Sequence, residues 1–98
     1  METALQAFLS DVQTGKPPAA GVSLLKAVWY GLRGEWDSAH EIAQEDDSPE
    51  GAWVHAWLHR IEGDLSNAAY WYRRAHRPVS ASDTASEGRD IAAFLLRS

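Results

Sequence analysis

A chain of 98 residues can build one hydrophobic core but not two. Its 45% hydrophobic and 23% charged content belongs to an ordered globular chain, and its net charge of -5 argues against nucleic-acid or anionic-membrane binding, both of which draw on Lys and Arg near phosphate. With no cysteine there is no disulfide framework and no thiolate metal site, and no apolar run approaches the roughly 20 residues that span a bilayer.

The opening METALQAFLSDVQTG lacks a basic leader and carries an acid at Asp11, so no secretory signal is expected and a cytoplasmic location is. A first helix is predicted over Thr3 to Gln13, where Thr3 and Gln6 are spaced as a capping box and Leu5, Phe8, Leu9 and Val12 form one apolar stripe. Gly15 and Pro17-Pro18 stop it. A second helix, Ala20 to Arg33, spreads Leu24, Leu25, Val28, Trp29 and Leu32 over a broad arc that touches more than one neighbour. Gly34 ends it, and a third, Glu35 to Glu45, sets Trp36, Ala39, Ile42 and Ala43 on one side.

Ser48-Pro49-Glu50 combines a hydroxyl cap, a proline at the first helical position and an acid in the first turn, so a fourth helix starts there and runs to Glu62. Gly63 ends it, Asp64 caps the next, and Leu65 to His76 carries Leu65, Ala68, Trp71, Tyr72 and Ala75 inward, with Tyr70, Arg73, Arg74 and Arg77 outward. After Pro78, the small polar run 79–86 reads as a loop ending in a second capping box, Thr84 with Glu87, and a last helix runs to Arg97. The class is all-α, about six helices in one domain: residues 1–18 as N-terminal helix and linker, 20–77 as two helix hairpins, and 84–98 as a C-terminal capping helix.

The middle of the chain is written twice at an offset of 29 positions, which lays Ala27 on Ala56, Leu32 on Ile61, Gly34 on Gly63, Glu35 on Asp64 and Ala39 on Ala68. Small residues recur where helices meet, glycine where one ends and an acid where the next begins. In these positions the chain resembles the tetratricopeptide repeat, antiparallel helix hairpins stacked into a superhelix. Tyr30 matches the aromatic before the turn in the first copy, whereas His59 stands there in the second, and the offset is shorter than the family's usual length of about 34. The string IEGDLSNAAYWYRRA also resembles one found in small helical proteins of unassigned function. The repeat resemblance implies a protein- or peptide-binding groove lined by Leu24, Val28, Trp53, Trp57 and Arg60. Two indoles with a guanidinium one turn away suit a segment bearing an apolar anchor and a carboxylate. Alternatively, the terminal helix with Phe94 and Leu95 lies across those indoles and makes them core.

Charge is uneven. Seven acids and no Lys or Arg lie between Glu35 and Glu50, whereas Arg60, Arg73, Arg74 and Arg77 follow. The simplest expectation is that the two sets attract each other within the fold. Tyr70, Arg73 and Arg74 otherwise add a partner-binding stripe, and exposed aromatics serve self-association as a homodimer. His55, His59 and Glu62 share one helical face and are the candidate metal ligands, but HExxH is missing and the stretch lacks the closing ligands of a zinc site, so no cofactor is expected. No nucleotide loop or nucleophile motif occurs. An interaction module without catalysis is the expectation, and a small-molecule or metal-binding protein with a His/Glu/aromatic site is the alternative.

Overall fold

The computed structural model describes residues 3–18 and 23–97, and among these the chain forms six helices and no strand. They are α1 (Ala4–Thr14), α2 (Ser23–Leu32), α3 (Trp36–Gln44), α4 (Pro49–Ile61), α5 (Leu65–Arg74) and α6 (Thr84–Arg97). The expected first turn of α2, from Ala20, falls partly outside the described residues. No helix among them is long and apolar enough to cross a membrane.

The local signals act as their chemistry requires. At α1 the Thr3 hydroxyl accepts from the Gln6 amide at 3.0 Å while the Thr3 amide donates to Gln6 Oε1 at 2.8 Å, so the box closes in both directions. At α4 the Ser48 hydroxyl accepts from the Gly51 amide at 3.0 Å behind Pro49. The duplication is visible in the turns. After α2, Gly34 adopts φ 81° and the Glu35 amide donates to the Tyr30 carbonyl at 2.9 Å; after α4, Gly63 adopts φ 85° and the Asp64 amide donates to the His59 carbonyl at 2.9 Å. Each bond lies 29 positions from its counterpart, so the recurring glycine is explained by a recurring left-handed residue.

The same turn appears a third time without glycine. His76 sits at φ 58°, and the Arg77 amide donates to the Tyr72 carbonyl at 3.0 Å. The chain therefore turns at His76, and Arg77 does not continue the outward stripe expected for it. Its guanidinium instead lies 3.5 Å from the centre of the Trp53 ring.

The start of α6 also departs from expectation. Asp83, not Thr84, caps the helix, with Oδ1 accepting from the Ser86 amide at 2.8 Å and Oδ2 accepting from the Ser86 hydroxyl at 2.9 Å. Glu87 is thereby released from a box with Thr84 and turns into the core, where three side-chain donors outbid one backbone amide.

The core gathers around α4, which packs against α2, α3, α5 and α6. Trp57 is its centre, and Gly31 of α2 and Gly88 of α6 both press on the indole so closely that a methyl group at either would lie 2.6 Å from it. By contrast α3 and α5, each packed on α4, make no contact with one another. A trench runs between them with α4 as its floor.

Candidate metal centre

The groove expected between α2 and α4 is filled by α6. Leu24 and Val28 are buried, Trp57 is 1% exposed and Trp53 8%. Trp53 Nε1 donates to Glu87 Oε2 at 3.0 Å and its ring meets Phe94 edge-on, while Trp57 Nε1 donates to the Thr84 carbonyl at 2.7 Å. Arg60 donates to Glu87 Oε1 and to the Ser82 carbonyl, each at 2.5 Å. These residues do hold a helix with a carboxylate and an apolar anchor, but it belongs to the same chain. Of the two arrangements open to the sequence, the structure takes the one in which the indoles are core.

Glu87 is 2% exposed and ties three helices together. Besides Trp53 and Arg60 it accepts from the Tyr72 hydroxyl, at 2.7 Å to Oε1 and 2.5 Å to Oε2. Burial, followed by that hydrogen bond, holds the Tyr72 hydroxyl well above the ordinary phenol range, so it stays a donor at any physiological pH. Both carboxylate oxygens accept hydrogen bonds from within the protein, and Arg60 is the member of the cluster that stays partly exposed.

The trench floor is different. His55 and His59, one turn apart on α4 as the sequence indicated, are both 6% exposed. The third imidazole is His40 of α3, one turn after Trp36. His40 Nε2 lies 2.9 Å from His55 Nε2, and one ligand nitrogen from each of the three histidines falls within 4.8 Å of the other two. The rings are clamped by aromatic neighbours: His40 stacks on Trp36 at 4.6 Å and His55 on Trp71 at 3.9 Å between centroids. Trp36 is itself fixed, since its Nε1 donates to the Leu58 carbonyl at 2.6 Å.

Glu62, a candidate ligand in the sequence, pairs with His59. Its Oε1 accepts from His59 Nδ1 at 2.5 Å. An ionised carboxylate only accepts, so the proton is on Nδ1 and Nε2 is the nitrogen left for a metal in the neutral ring; this is the arrangement of a carboxylate orienting a metal-ligating histidine. Burial and then the neighbouring His40 and His59 lower the His55 pKa to about 4. The His40 pKa is lowered too, first by burial and then by His59. Both rings are therefore neutral at pH 7, the state in which imidazole ligates.

The remaining candidates lie on α5, where Arg74 borders the cleft between α3 and α5. Tyr70 is 43% exposed, Arg73 and Arg74 are exposed beside its ring, and Arg74 Nη1 donates to the Tyr70 hydroxyl at 3.2 Å. The expected pairing of the acidic stretch with the later arginines does not occur. Among the described residues the ion pairs are Arg33–Glu35, His59–Glu62 and Arg60–Glu87. A cleft of about 240 Å³, lined by His55, Trp71, Arg74, His76, Asp46 and Ser48 among others, opens beside the histidines and offers an approach from solvent.

His40 and Glu87 were missed by sequence reasoning. Three of the chain's four histidines fall between positions 40 and 59, which is a compositional hint, but pairing His40 with His55 requires knowing that α3 folds back on α4. Comparison with protein-family models, curated proteins and solved structures finds no match. The tetratricopeptide resemblance accordingly rests on sequence spacing alone.

Proposed function

We propose that this protein binds a transition-metal ion of the zinc class through His40, His55 and His59, with Glu62 orienting His59. The observation that carries the reading is the convergence of three imidazoles from two helices on one point, with His55 and His59 buried and His55 held neutral by that burial. The core gains stacking from two of these rings, but each buried polar nitrogen costs desolvation that stacking does not return. A metal ion resolves that by accepting all three lone pairs.

The geometry of the His40–His55 pair needs only a small adjustment, and His59, within 4.8 Å of both, has to close in on them. Zinc–nitrogen bonds of about 2.0–2.1 Å in a tetrahedral site set ligand nitrogens roughly 3.3 Å apart, so the 2.9 Å His40–His55 contact opens by a few tenths of an ångström as the shared proton leaves. Three protein nitrogens leave a fourth position for water or a small ligand, as in zinc sites that are not purely structural. His55 already stacks on Trp71 and borders the cleft, which suits a ligand entering there.

Titration of chelator-treated protein with Zn²⁺, followed by calorimetry, tests the reading. One equivalent is expected to bind, with release of heat absent from His55→Ala and His40→Ala variants. Cobalt should give the absorption of a tetrahedral nitrogen site. Binding that is not stoichiometric, or that survives both substitutions, contradicts it.

A further inference from the structure

The two walls of the trench carry opposite charge. Asp37 and Glu41 are exposed on α3, and Arg73 and Arg74 are exposed on α5. Within one chain these sets are not paired: α3 and α5 do not pack on one another, and no ion pair among the described residues joins them. We propose that a second copy of this chain docks across the trench about a two-fold axis, α3 of each copy lying against α5 of the other.

The argument is one of symmetry. A two-fold interface presents the same patch from both sides, so a patch is self-complementary when its acid lies on one side of the axis and its base on the other. The trench has that layout, with its walls on either flank of α4. A partner of uniform charge would be attracted by one wall and repelled by the other; a rotated copy satisfies both. Tyr70, 43% exposed and flanked by two guanidiniums, supplies the amphipathic ring that interface centres favour. A standard interface removes roughly 800 Å² from each partner, about one seventh of this chain's 5724 Å². The net charge of -5 opposes association in every orientation, so a patch on which acid meets base is needed to offset it. The inference rests on these charges and is independent of metal at the trench floor.

Sedimentation of the full chain, with a chelator present and at two concentrations and two salt concentrations, tests it. A dimer is expected that weakens as salt rises, because exposed charge pairs are screened. The double substitution Arg73→Glu with Arg74→Glu makes both walls acidic, and Asp37→Lys with Glu41→Lys makes both basic. Each alone should weaken association at least about tenfold, while an equimolar mixture of the two variants should associate again. Circular dichroism establishes that both variants keep the helical fold. A wild type that is monomeric at every concentration overturns the proposal, as does a dimer indifferent to both reversals. Loss with the arginine reversal alone, and no recovery on mixing, assigns the arginines to a different acidic partner and likewise overturns it.

Discussion

Two buried polar clusters lie on opposite sides of α4, and their contrast separates what holds this protein together from what it offers to a ligand. On the α6 side, one carboxylate meets an indole N–H, a phenol O–H and a guanidinium, so every donor has an acceptor of the opposite kind. On the α3 side, three imidazoles meet one another, and the two nearest place ring nitrogens of the same kind 2.9 Å apart, where only one of them can donate. The first arrangement is complete as it stands. The second lowers the pKa of two of its rings, His55 and His40, by burial ahead of any charge, and the carboxylates that act on His40, Glu62 and Asp37, do not offset it.

If that contrast is right, the clusters must respond differently to the loss of one member. Glu87→Ala strands the Arg60 charge, the Tyr72 hydroxyl and the Trp53 N–H in a buried site, and should cost about 3–5 kcal/mol of stability, read as a shift in the urea midpoint at unchanged slope. A comparable loss from removing any one histidine in metal-free protein would erase the distinction.

The histidine cluster should instead reveal itself through pH. In an unfolded chain an imidazole takes its proton near pH 6.5, whereas folded His55 resists until about pH 4. Between those values the unfolded state binds more protons, so stability falls as pH is lowered through that window and is fully present above it. The loss attributable to His55 should reach no more than about 3 kcal/mol, and His40 adds in the same direction. Denaturant midpoints measured from pH 7 to pH 4 should therefore decline in metal-free wild type and flatten in His55→Ala. A wild type whose stability is level across that range would show that the cluster is not held neutral.

How much of this was legible beforehand follows from range. The six helices and their ends are written locally: Thr3 with Gln6, Ser48 with Pro49, and Gly34 and Gly63 each act within one turn of their own backbone. The facing of His55 and His59 follows from helical spacing alone. What failed depended on distance along the chain. Glu87 had the spacing of a capping box with Thr84, but Arg60, 27 residues away, together with Tyr72 and Trp53 made a better site for its charge, and Asp83 took over the cap. Arg77 was placed by extending a helical wheel past the turn at His76, where the wheel no longer applies. Trp53, Trp57 and Arg60 share one face of α4 by helical spacing, yet only the fold reveals that all three meet α6. His40 escaped for the same reason.

The smallest expected effect sharpens the comparison from within the metal site. Glu62→Gln keeps a side chain that can still accept from His59 Nδ1 but removes the charge that makes the ring a stronger ligand. Zinc affinity should fall by about 10- to 100-fold with little change in the stability of metal-free protein. An unchanged affinity would reduce Glu62 to a surface partner of His59.

Zinc-edge X-ray absorption of the protein loaded with one equivalent of Zn²⁺ tests the central claim most directly. The expected result is an inner shell containing three imidazole nitrogens at about 2.0–2.1 Å, reduced to two in His40→Ala. A shell of oxygen donors alone, or one that His40→Ala leaves intact, would contradict the assignment of His40, His55 and His59 as the metal centre.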